Sequence, residues 1–106
     1  MVATHLLKRL QFREDYFGER CQLHYIRDRD GREVDFVTVI DKKIVDLIEV
    51  KLSDDEPSTA LKYYQNKLAP QNTVQIVGDL RHSFDVKGIR VTNPIEYFQQ
   101  PPWEKD

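Results

Sequence analysis

The chain has 106 residues, with 16 Lys/Arg against 18 Asp/Glu, a net charge of −2, and 40% hydrophobic residues. That length supports one small core and not two, and the composition is that of a folded chain. The near-neutral balance excludes a strongly basic nucleic-acid binder: the first 35 positions carry seven Lys/Arg and seven Asp/Glu, with no basic stripe.

In chain order, Val2 to Phe12 places Val2, Leu6, Leu7 and Leu10 on one side and Lys8 and Arg9 on the other, which predicts an amphipathic helix. Only Met1 precedes it, so no N-cap is present. The expectation is a helix cut into, from a longer protein, with its apolar face only partly covered and open to a homodimer contact. Glu14, Asp15 and Glu19 read as loop charges, and His5 as a surface or half-buried residue. Cys21 to Arg27 predicts a first strand. The single cysteine, Cys21, allows no internal disulfide and fits a reducing cytosol. Asp28 to Gly31 is a turn, and Asp-Gly is a strong hairpin signal. Glu33–Ile40 and Ile44–Lys51 then read as strands, which makes a three-stranded antiparallel meander. Arg27 points either toward the carboxylates described below or to an acid on its neighbouring strand.

Ser53 to Pro57 has a helix-start composition, and the helix is expected to run to about Lys67 with Ala60, Leu61, Tyr64 and Leu68 on one face. Thr73 to Val77 predicts a strand parallel to the third, because a helix connects them. Val86 to Val91 predicts an edge strand weakened by Gly88. A short helix, Ile95 to Gln99, follows Asn93-Pro94 and closes the core with Ile95 and Phe98. Trp103 is either a surface anchor or part of an interface. No apolar run approaches a membrane span, no signal peptide opens the chain, and no P-loop occurs. A cytoplasmic chain with no membrane partner and no bound ATP is expected.

The chemistry concentrates in the second and third strands. With Asp41–Lys43 as a three-residue loop, Ile40 pairs with Ile44, Asp35 lies opposite Glu49, and Glu33 opposite Lys51. Alternation then puts all four on one face, beside Val37, Val39, Val45 and Leu47. Opposed carboxylates have Cβ atoms ~4.5–5.5 Å apart and repel unless a proton or cation lies between them. Lys51 compensates in part, and Mg²⁺ would compensate more. A network of Lys51 with Glu33 and Glu49 is the structural alternative.

These residues carry a resemblance. Asp35, thirteen residues, then Glu49-x-Lys51 resembles the core of the PD-(D/E)XK nuclease superfamily. The longer phrase is Leu23-His24-Tyr25-Ile26-Arg27, Gly31-Arg32-Glu33-Val34-Asp35-Phe36 and Ile48-Glu49-Val50-Lys51. It is similar to the uncharacterised C-terminal domain of predicted bacterial AAA+ ATPases, over about Val2 to Phe98. The resemblance implies an α/β, restriction-endonuclease-like sandwich as a single domain over 1–106. It implies Asp35, Glu49 and Lys51 as catalytic residues, with Asp35 and Glu49 as weak Mg²⁺ ligands and Glu33 supporting Lys51. The acid that relatives carry upstream of the first helix has no counterpart here, and Tyr63-Tyr64-Gln65 does not match the Gln-x-x-x-Tyr motif of related nucleases. The expectation is therefore a degenerate, non-catalytic nuclease-like module that binds DNA, a protein partner or its own ATPase domain. An active Mg²⁺-dependent deoxyribonuclease is the alternative.

Overall fold

The computed structural model describes residues 2–99. Its elements are α1 (Val2–Phe17), β1 (Cys21–Arg27), β2 (Glu33–Ile40), β3 (Lys43–Lys51), α2 (Thr59–Leu68), β4 (Asn72–Val77), β5 (Phe84–Val86), β6 (Ile89–Thr92) and α3 (Pro94–Phe98). The six strands form one mixed sheet in the order β1-β2-β3-β4-β6-β5. β1, β2 and β3 make the antiparallel meander. α2 then carries the chain across to β4, which runs parallel to β3, as the helical connection requires.

Both faces of the sheet are covered. Under α2, Leu61 and Tyr64 pack on Val34, Val37, Leu47 and Val77. On the other face, Leu6 of α1 and Tyr97 of α3 cover Ile48, Val74 and Ile76, while Leu10 covers Ile40 and Val45. Leu7 is 54% exposed and Val2 half-buried, so the expected part-covered face holds there, while Leu6 and Leu10, 2% and 8% exposed, are buried by the sheet itself. Each such leucine contributes roughly 1.5–3 kcal/mol of transfer free energy.

Several boundaries move for local reasons. α1 continues past Phe12 to Phe17, so Glu14 and Asp15 are helical, and Gly18 ends the helix with a positive φ of 70°. The predicted last strand is a hairpin instead. Lys87 and Gly88 both have positive φ, 50° and 81°, and turn β5 back onto β6, so Gly88 is the turn rather than a weak strand position. α3 starts at Pro94 with Asn93 accepting the Glu96 amide hydrogen; Tyr97 is buried there, whereas Ile95 is 74% exposed and does not close the core. Trp103 lies outside the described residues. Among the described residues, no helix is long and apolar enough to cross a membrane.

Candidate functional site

The β2–β3 register depends on two irregularities that offset each other. The connection is a two-residue turn, not three: Asp41 and Lys42 both have positive φ, 50° and 68°, and Ile40 pairs with Lys43. A bulge between Thr38 and Val39 in the ladder then absorbs one residue, since Val39 pairs with Ile44 but Thr38 with Asp46. Beyond it the pairs are Val37 with Leu47 and Phe36 with Ile48. The next residues outward are Asp35 and Glu49, so the predicted juxtaposition arises by a different route.

The ladder stops there because β2 is also irregular toward β1. His24 pairs with Val37 but Ile26 with Val34, so Asp35 and Phe36 share the space opposite Tyr25. Such a bulge leaves the extra residue unpaired and disrupts the ladder locally, and the β2–β3 pairing ends at Phe36 and Ile48, short of Val50. Asp35 supplies an acceptor in place of the missing ladder partner: its Oδ2 accepts the Val50 amide hydrogen at 2.8 Å.

Glu49 is 8% exposed, on the central strand β3. The Ser58 hydroxyl donates to its Oε2 at 3.2 Å, and Lys51 Nζ lies 3.7 Å from its Oε1. Burial raises the Glu49 pKa above the ordinary carboxylate range, the Asp35 charge raises it further, and Lys51 and Ser58 oppose both. The same Ser58 oxygen accepts the Leu61 amide hydrogen at 3.0 Å and so caps α2. One serine therefore ties the helix start to the buried acid.

Gln75 fixes the loop that delivers Ser58. It lies beside Glu49 in the parallel β3–β4 pairing and is fully buried. Its amide nitrogen donates to the Asp54 and Glu56 carbonyls at 3.1 and 2.8 Å, and its oxygen accepts the Ser58 amide hydrogen at 3.0 Å. This clamp explains why α2 begins at Thr59 rather than within Ser53–Pro57: the carbonyls that would start a helix are held by Gln75 instead. At the strand end, the Gly78 amide donates to the Lys51 carbonyl at 2.9 Å. A Cβ on Gly78 would come within 3.2 Å of the Leu52 carbonyl, so a glycine suits this approach.

The structure thus brings Asp35, Glu49 and Lys51 together and adds Ser58 and Gln75. It does not bring in Glu33. That residue is exposed and paired with Arg27 at 3.2 Å, so its assignment as the partner of Lys51 is corrected. The bulge at Asp35 breaks the alternation on which that assignment depended. A second tie lies nearby, where the Tyr64 hydroxyl donates to Asp28 Oδ2 at 2.6 Å and joins α2 to the β1–β2 turn. Arg32 holds the same turn through Asp28 and Asp30 and covers the Tyr63 ring at 3.9 Å.

As a cation site the donor set is thin. Among the described residues no group of three His, Cys, Asp or Glu side chains is placed to hold a metal. Of the four carboxylate oxygens of Asp35 and Glu49, three already face an amide hydrogen, a hydroxyl or the ammonium. Mg²⁺ keeps strict octahedral geometry, and this arrangement fits an internally satisfied network better than a Mg²⁺ cradle. A buried acid beside a second acid and a lysine can still exchange a proton, and Lys51 can meet a phosphate group. Comparison with protein families matches residues 1–97 to DUF4143, a domain of unknown function. Comparison with curated proteins finds no match.

Proposed function

The chain belongs to the DUF4143 family, and from that premise we propose that it is a degenerate nuclease-like module of an AAA+-type ATPase, binding DNA or a protein partner without cutting. Its fold on this reading is restriction-endonuclease-like. The antiparallel meander followed by a helical crossover to a parallel strand supports that, with Asp35 and Glu49-x-Lys51 at the ends of adjacent strands. The observation that carries the non-catalytic reading is the capture of Asp35 by the Val50 amide. A carboxylate closing a hole in the sheet is doing structural work that metal ligation would disturb. DNA would meet this end of the sheet through Lys51 and the exposed Tyr25 across from the Asp35 bulge.

The alternative is an active Mg²⁺-dependent deoxyribonuclease that uses Asp35, Glu49 and Lys51. The raised pKa of Glu49 and its 3.7 Å approach to Lys51 favour it, since perturbed acids collect at reactive sites. One set of measurements separates the two. Thermal melting with Mg²⁺ and Mn²⁺, and cleavage of single- and double-stranded DNA, are compared for the wild type, Glu49→Gln and Lys51→Ala. A metal at ten times its Kd would add ~1.4 kcal/mol to stability. The expected result is little or no metal shift and no cleavage, with DNA retention weakened in Lys51→Ala. Metal-dependent cleavage lost in both variants would establish the nuclease instead.

A further inference from the structure

We infer that the cavity between α1 and the sheet is a binding site for a small organic anion, a carboxylate or phosphate monoester that also carries hydroxyl or amine donors. It lies on the face away from α2, toward the amino ends of β3 and β4, and so stands apart from Asp35 and Glu49. The inference does not rest on the nuclease reading.

Leu6, Arg9, Leu10 and Arg13 recur at the spacing of a core-facing stripe. The two leucines are buried on the sheet, and both arginines line the cavity beside them. Arg9 was read from the sequence as outward-facing; its place beside Leu10 corrects that. Arginines within an apolar stripe break the local pattern, and such breaks mark sites where something other than stability is selected. The protein meets two of these charges itself. Glu19 pairs with Arg13 at 3.0 Å, and Arg9 lies 5.6 Å from the centre of the Tyr97 ring.

The facing part of the sheet is polar. Thr38 donates to Asp46 Oδ2 at 2.6 Å, and Asn72 donates to Asp46 Oδ1 at 3.1 Å. Arg90 joins the wall from β6, opposite Val74 in the parallel pairing and Asp85 in the hairpin. Arg90 is half-buried as a residue, with no ion pair or hydrogen bond from its side chain to any of the described residues. A partly desolvated guanidinium presents a planar fork of donors that matches a carboxylate or phosphate. The carboxylates of Asp46 and Asp85 on the same wall would repel a polyanion such as a nucleic acid, but accept hydrogen bonds from hydroxyl or amine groups. The cavity volume is about 290 Å³, at the small end of ligand pockets, which run to ~300–1,000 Å³. The ligand is therefore the size of a hydroxy acid, an amino acid or a sugar phosphate.

The test titrates the intact chain with ribose 5-phosphate, L-serine and inorganic phosphate, followed by amide and arginine Nε–H NMR shifts. Sodium chloride at matched ionic strength is the control. Ribose 5-phosphate against L-serine separates a phosphate ligand from a carboxylate one. One of the two organic probes should saturate and move the Arg90 Nε–H signal. Arg90→Gln should weaken it by about ten- to a hundredfold, as expected for losing charge-assisted hydrogen bonds. Lys51→Ala should leave it unchanged. The wild-type Arg90 signal reports even if the variant folds poorly. The inference fails if no organic probe saturates, if Arg90 does not respond, or if inorganic phosphate alone binds and chloride displaces it.

Discussion

Replacing Gln75 with leucine tests whether the loop before α2 is held in place by one buried amide. Leucine is close to glutamine in size, so the cavity term is small and the loss is mainly polar. Three hydrogen bonds disappear, to the Asp54 and Glu56 carbonyls and from the Ser58 amide. At about 1 kcal/mol each their sum is ~3 kcal/mol. Asp54 and Glu56 are exposed, so their carbonyls regain water once the loop detaches, and the leucine gains apolar burial. The net cost is therefore ~2 kcal/mol, or roughly 8–16 °C in Tm for a domain of this size. Chemical denaturation gives the free energy, and amide hydrogen exchange locates it. The Ser58 and Leu61 amides should lose protection first, because the Ser58 cap goes with the loop. A Tm within about 2 °C of the wild type, with Ser58 protection unchanged, would refute the clamp.

Three further expectations follow from the same network and its neighbours. Because burial and Asp35 raise the Glu49 pKa, the folded chain holds that proton more tightly than the unfolded one; the stabilisation is full below the unfolded value and lost as pH rises through the folded one. Glu49→Gln should therefore raise Tm at pH 7 and lose that gain near pH 4, and a Tm lowered at pH 7 would contradict this. Tyr64→Phe removes the bond that pushes the Tyr64 pKa up to about 12 and holds that of Asp28 below its usual range. Stability carried by Tyr64 is lost between pH 10 and about 12, and that carried by Asp28 as pH falls through its lowered value, so the pH–Tm curve of the variant should flatten at both ends. Ala69→Gly should stabilise by about 0.5–1 kcal/mol in chemical denaturation, since Ala69 sits at φ 46° after α2, where glycine carries no Cβ penalty.

How far the sequence alone reaches is clearest in β2 and β3. The Val- and Ile-rich runs marked both strands, and the D-G turn marked the hairpin before them, because these signals are local. Counting a three-residue loop led to Asp35 opposite Glu49, yet the turn has two residues and the bulge near Thr38 makes up the difference. Nothing local announces that bulge, which depends on how β3 settles between two neighbours. Glu33 was lost for the same reason: the irregularity at Asp35 resets the alternation that put it beside Lys51. Gln75 was invisible because a glutamine inside an apolar strand has no partner in its own segment. Its partners lie about twenty residues earlier, in a loop whose acids and proline imitated the first turn of a helix.

The tasks these residues perform bear on how the site works. Asp35 fills a gap in the sheet, Ser58 caps a helix, and Gln75 holds a loop; each has a structural task that would persist without any chemistry. Glu49 is different. Burial beside another acid raises its pKa, so at neutral pH its charge costs stability, and Lys51 at 3.7 Å offsets that only in part. A network selected for stability alone would carry a glutamine at this position, which could accept the same Ser58 hydrogen bond without the charge. Glu49→Gln separates the acid's charge from its hydrogen bonding, because the amide oxygen can accept the same Ser58 hydroxyl hydrogen. The pH dependence of Glu49→Gln therefore does more than check a pKa. A gain in Tm at pH 7 with no loss of DNA or partner binding would leave the charge without a purpose, whereas a gain joined to lost binding would mark Glu49 as the residue around which the other three are arranged.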